Sequence, residues 1–189
     1  MSNLHISNSE LRLATATLAA LSVIVPAFYF LRGEKAQQAT PQLQTFHKLL
    51  KAYTTLRPAA LGANASKDFS HTVLPLSLNL PPRSLENFQQ HAVMIFSLFE
   101  NFKMEPHGQV HFSKETNTVI AHCKMGGKVN AASEMGKKLI DGGITDWWTE
   151  CVLFVKMSPD GTKVVELKEF VNSAKAEELQ RRLSGVLSK

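Results

Sequence analysis

The stretch Trp147–Ser173, WWTECVLFVKMSPDGTKVVELKEFVNS, decides how the chain folds. Two apolar runs, Trp148–Lys156 and Lys163–Val171, flank a turn at Ser158–Gly161. Pro159 presets its φ, Asp160 tolerates turn geometry, and Gly161 can take the positive φ that closes a hairpin. A period of two puts Trp148, Glu150, Val152 and Phe154 on one face of the first strand. It puts Val165, Leu167 and Glu169 on one face of the second. A carboxylate among apolar neighbours is costly unless it is paired or used. Each strand therefore predicts a polar group inside a pocket walled by a curved sheet.

Working outward, Ser173 opens a final helix running to about Leu187. On the other side, Gly126-Gly127 and Gly142-Gly143 bracket an irregular stretch with a short helix at Ala131–Ile140, read equally as a binding loop or a tolerated insertion. Gln109–Ser113 and Thr118–Met125 read as a hairpin across Lys114–Asn117. Before them, Ser84 caps a helix predicted to reach about Phe102, apolar nearly all round and hence buried on several sides, with Phe88, His91, Ile95 and Phe99 as its inner stripe. Asp68–Pro75 is a short β segment, Asp68 itself reading as a turn or cap residue. The domain opens with a helical stripe of Leu43, Phe46, Leu50 and Tyr53, broken at Pro58 and followed by a short helix at Ala59–Ala65. The layout is α+β, an antiparallel sheet with helices on one face.

The first forty residues stand apart. Leu13–Leu31 carries no charged residue and approaches the ~20 residues that span a bilayer. It reads as a membrane anchor, with a signal peptide and a helix packed on the protein itself as competing readings. Gly33–Gln42 is a polar linker, so residues 1–40 form an extension and 41–189 the domain. If the run is an anchor the protein is membrane-bound; otherwise it is cytoplasmic.

Composition narrows the functional classes. The net charge of +5 is spread out, with only Lys137-Lys138 and Arg181-Arg182 adjacent, which speaks against a nucleic-acid footprint. Cys123 and Cys151 sit in strand-like runs and read as buried reduced thiols. His107 and His111 have the spacing of a helical zinc pair, but Pro106 and Gly108 make the segment β-like, where four residues span ~13 Å. No metal is expected.

Several segments together resemble a known superfamily. They are DFSHTVLPLSL at Asp68–Leu78, FQQH at Phe88–His91 and TECVLFVKMSPDGTKVVELKEFVNS at Thr149–Ser173. In order and spacing they are similar to the nuclear-transport-factor-2-like fold, and within it to the fungal SnoaL-like proteins. The resemblance implies a cone: helices closing over the concave face of a strongly bent sheet, with a pocket at its mouth. It also implies cofactor-independent cyclases, dehydratases and isomerases acting on small hydrophobic substrates, and a homodimer. The chain departs from the family pattern at Thr149, Cys151 and Asn172, where asparagine, tyrosine and aspartate are usual. A mechanism resting on that phenol or that carboxylate does not transfer.

The candidate chemistry follows. His71 and His91 fall at family histidine positions; an imidazole titrates near neutrality and suits a general acid or base. Glu150 stands between large apolar residues, which favours proton transfer near neutral pH. His71 and Glu150, with His91 as orienter or second acid, form the expected catalytic set. Trp148, Glu169, His122, Phe88 and Asn172 are the expected substrate contacts. The functional expectation is a lyase or isomerase of polyketide or meroterpenoid intermediates in fungal secondary metabolism. The alternative is a non-catalytic ligand-binding or assembly module tethered to a membrane.

Overall fold

A computed structural model describes residues 40–187. The chain starts with helix α1 (Pro41–Thr54), where the Thr40 hydroxyl accepts from the Leu43 amide and Pro41 fills the first turn. Its stripe of Leu43, Phe46, Leu50 and Tyr53 is buried, as the spacing predicts. Helix α2 (Pro58–Gly62) follows, ending sooner than its composition implied, because strand β1 (Ala65–Leu74) already begins at Ala65. A 3₁₀ turn at Leu76–Leu78 leads to the two-residue strand β2 (Arg83–Ser84) and helix α3 (Leu85–Ser97). Strands β3 (Phe99–Pro106), β4 (His111–Ser113) and β5 (Thr118–Val129) come next. Helix α4 (Glu134–Asp141), strands β6 (Asp146–Met157) and β7 (Val164–Val171), and helix α5 (Ser173–Leu187) complete the chain.

The seven strands form one sheet in the order β2-β1-β7-β6-β5-β3, with β4 beside β5. The hairpin of β6 and β7 forms as its turn residues predict, with Gly161 at φ 73°. The expected all-antiparallel sheet needs correction: β1 runs parallel to β7, with His71 opposite Leu167 and Val73 opposite Glu169. The rest of the sheet separates these strands in sequence, so no local turn restricts their relative direction.

Two further corrections have local causes. Helix α3 stops at Ser97 instead of about Phe102, and Phe99 starts a strand. A register shift between Phe99 and Asn101 lets Phe99 and Phe102 both point inward, and that three-residue spacing imitates a helix. Nor is α3 covered on all sides, since Val93 and Met94 are exposed. Gly126 and Gly127 lie inside β5, not in an irregular loop. A Cβ at Gly126 would sit 1.9 Å from the Trp147 carbonyl oxygen, and one at Gly127 1.6 Å from that of Asn101. These glycines let three backbones pass closely where the sheet bends.

The inner face of the sheet carries the core. Val119, Ala121, Cys123, Cys151, Leu153, Val155 and Leu167 are all buried there under α1 and α3. Among the described residues no helix is long and apolar enough to cross a membrane. The run Leu13–Leu31, and with it the expected anchor, lies outside the described residues.

Candidate functional site

Between the inner sheet face and helices α1, α3 and α5 lies a cavity of ≈ 330 Å³. Its walls are mostly apolar: Phe88, Ile95 and Phe96 from α3, Met104, Met125 and Trp147 from the sheet, and Leu179 from α5. Such a container suits a small hydrophobic molecule held by few polar groups.

Those polar groups come from register. His71 on β1 opposes Arg83 on β2, so both side chains leave the same face. On the other flank, parallel pairing puts Val73 opposite Glu169, which makes Glu169 the diagonal neighbour of His71 on that face. The result is a linear array. Arg83 Nη1 lies 3.4 Å from His71 Nδ1, and His71 Nε2 lies 3.4 Å from Glu169 Oε2. A guanidinium has only donors, so Nδ1 accepts and the proton of the neutral imidazole sits on Nε2, donating to the carboxylate. The tautomer is assigned from this network.

Burial shapes the array. His71 is 1% exposed, and its ring packs on Phe88 with centroids 4.7 Å apart. The Glu169 side chain is 12% exposed and borders the cavity. Its charge is offset by Arg83 through the imidazole, which makes a carboxylate tolerable against Val73 and Val171. His91 enters from α3. Burial first, and the Arg83 guanidinium second, hold its pKa below the ordinary imidazole value, so it is neutral at pH 7. Tyr53 borders the same cavity; burial first and the Glu169 carboxylate second push its phenol well above the usual value, keeping it protonated. Cys123 and Cys151 face each other across β5 and β6. Burial and Glu169 push the Cys123 thiol up to about 12 and raise Cys151 further, so neither is a thiolate nucleophile.

Of the expected site residues, His71, His91, Phe88, Glu169 and Asn172 border the cavity. Asn172 also accepts from the Lys175 amide, capping α5. Glu150, Trp148 and His122 do not reach it, which corrects the expected His71–Glu150 set. On β6 the odd positions Trp147, Thr149, Cys151 and Leu153 turn inward, and the even ones face the other side. Glu150 is 67% exposed there, 3.2 Å from His122, itself 41% exposed. Trp148 lies under Lys124 Nζ at 4.8 Å from its ring centre. Both faces of this central strand carry apolar residues, so alternation alone does not say which is inside. Trp147 takes the place expected of Trp148. Asp68 is exposed on β1 and takes no part.

Three contributors escaped the sequence reading: Arg83, Tyr53 and Thr149. Arg83 follows Pro81-Pro82 in what reads as a loop, and Tyr53 reads as core. Thr149 stood out only as a departure from the family asparagine. Among the described residues its hydroxyl is buried with no hydrogen-bond partner. No three His, Cys, Asp or Glu side chains among the described residues converge to hold a metal.

No family model matches the chain. A curated fungal protein, the monooxygenase dmxR10 of Cryptosporiopsis sp. (strain 8999), is 23% identical over 138 residues, covering 72% of this chain and 83% of that protein. Among solved structures, the BvnE pinacolase of Penicillium brevicompactum aligns with a TM-score of 0.67 at 13% identity, over 77% of this chain and 92% of that one. PrhC of Penicillium brasilianum aligns at 0.65 and 12% identity, over 77% and 89%. A putative SnoaL-like polyketide cyclase from Jannaschia sp. CCS1 aligns at 0.53 and 10% identity, over 72% and 89%. The likeness is one of fold: this chain has the SnoaL-like, nuclear-transport-factor-2-like architecture that its motifs resemble.

Proposed function

We propose that the chain is a cofactor-independent lyase or isomerase that moves a proton beside a carbonyl in a polyketide or meroterpenoid intermediate of fungal secondary metabolism. The observation that carries this reading is the Arg83–His71–Glu169 array on the wall of an apolar cavity. Glu169 is the base: Oε2 accepts from His71, and Oε1 is left to take a proton from carbon. His71 is a positioning residue that holds the carboxylate. As negative charge moves from Glu169 to the enolate oxygen, the Arg83 guanidinium and the neutral donors His91 and Tyr53 are at hand to receive it. Return of the proton at another carbon is isomerisation; loss of a neighbouring hydroxyl is dehydration. The fungal neighbours of the same fold, one of them a pinacolase, support the reading by analogy.

The test needs no natural substrate. 2-Tetralone, an apolar ketone with acidic α-hydrogens, is incubated with the full chain in D₂O, and deuterium uptake is read by mass. Wild type accelerates exchange, Glu169→Gln loses on the order of 10²–10⁴ of that acceleration, and Glu150→Gln matches wild type. Equal exchange by wild type and Glu169→Gln removes the assignment. Ligand binding with no exchange favours the non-catalytic binding module instead.

A second reading follows from the curated relative named a monooxygenase. An electron-rich enolate formed by the same base would add O₂ at its carbon as a hydroperoxide, and loss of water from that C–H hydroperoxide leaves a carbonyl, so the substrate's own CH₂ supplies all four electrons. Oxygen uptake with anthrone, whose enolisable CH₂ can become a carbonyl, measured on an electrode, separates this from proton transfer alone.

A second copy of the chain is the partner we assign to the outer sheet face. Leu74, Phe170 and Val152 lie side by side across β1, β7 and β6, and Phe154 stands beside Ile120. Phe170 is 47% exposed, so this face leaves apolar surface uncovered.

A further inference from the structure

We infer that Thr149 is a specificity residue that hydrogen-bonds a second oxygen of the ligand, at the end of the cavity away from the array. This rests on the cavity being the ligand site. One cavity borders both Glu169 and Thr149. Glu169 on β7 opposes Leu153 on β6, four residues from Thr149. Four strand residues and one strand spacing separate the two positions by at most ~14 Å. Two hydrogen bonds of ~2.8 Å each leave at most roughly 8 Å between two ligand oxygens, within the reach of a bicyclic aromatic with oxygens at opposite ends. The inward strand positions between are apolar, Cys151 on β6 opposite Val171 on β7.

The hydroxyl is what sets Thr149 apart from the other wall residues. It is buried without a partner among the described residues, although the residue borders the cavity. A buried hydroxyl with no partner is unfavourable. In a strand, one χ1 step exchanges the threonine methyl and hydroxyl. A rotamer that brings the oxygen to the cavity lets a ligand carbonyl accept its proton. The ligand class is thus a flat, apolar molecule with an enolisable or phenolic oxygen at one end and a carbonyl or hydroxyl at the other.

Isothermal titration of the full chain with 6-acetyl-2-naphthol and 2-naphthol tests this, since the two differ only in the far oxygen-bearing group. Wild type is expected to bind the acetyl compound more tightly. Thr149→Val should lower that affinity about 2- to 10-fold while leaving 2-naphthol unchanged, and Thr149→Ser should keep the preference. Unliganded Thr149→Val should melt no lower than wild type, because no protein hydrogen bond is lost. Equal wild-type affinities for the two compounds, including none for either, or equal losses for both in Thr149→Val, overturn the inference. Binding is read without turnover, so a failure of Glu169 as base would leave this result standing.

Discussion

His91 shows how a neighbourhood sets the chemistry of a single residue. Burial is the first cause of its lowered pKa, with the Arg83 guanidinium adding to it. The unfolded chain then binds a proton more readily than the folded one. Stability is fully present above the ordinary imidazole value of about 6.5 and falls as pH drops below it. The denaturation midpoint should therefore decline between pH 7 and pH 5, more steeply in wild type than in His91→Phe. In an NMR titration the His91 ring should titrate below the ordinary value and move up in Arg83→Gln; a wild-type ring at or above that value would contradict the assigned causes. Asp160 behaves in the same sense at lower pH. Ser158 and Thr162 hydrogen bonds lower its carboxyl to about 2. Its contribution is present above the ordinary carboxylate range and fades as pH falls towards 2, so Asp160→Asn should flatten acid unfolding in that window.

Among the elements, β5 has a sequence that misleads. Two adjacent glycines normally weaken a strand, yet here they are what allows it, because neighbouring backbones occupy the space of a side chain. Gly126→Ala should cost more than ~3 kcal/mol or prevent folding, with carbonyl oxygen in the way and φ at 146°. Gly108 also has positive φ, but nothing stands within 4 Å of an added Cβ. Gly108→Ala should cost only about 1–2 kcal/mol. Urea titrations of the two variants compare steric blockage with backbone strain, and similar losses would show that the close approach does not matter. The hairpin of β6 and β7 was legible because its signals are local: proline, aspartate and glycine at a turn between alternating runs. Strand β3 was not, because a bulge gave its aromatic residues the spacing of a helix.

For the whole molecule, the two faces of the sheet divide the work. The inner face builds the cavity, and the outer one presents Phe170, Val152 and Phe154 beside the exposed Glu150–His122 pair. If a second copy covers that face, Phe170→Lys should shift sedimentation from dimer towards monomer without changing the cavity; a monomeric wild type at micromolar concentration would refute the pairing. His71 stood out only through the family resemblance. The α+β layout, the amphipathic first helix, the central hairpin and the inward faces of His91 and Glu169 were written into alternation, caps and turn residues, since those act over a few residues. Which carboxylate meets His71 was not. Glu150 and Glu169 lie on neighbouring strands with similar apolar neighbours; the β6–β7 register, with Leu153 opposite Glu169, sends Glu150 to the other face, and only the parallel docking of β1 on β7 brings Glu169 to the imidazole. That docking joins segments almost a hundred residues apart, as the His71–Glu169 separation of 98 shows. No local signal carries so distant a register, so the chain had to close its sheet before its acid and its imidazole could meet.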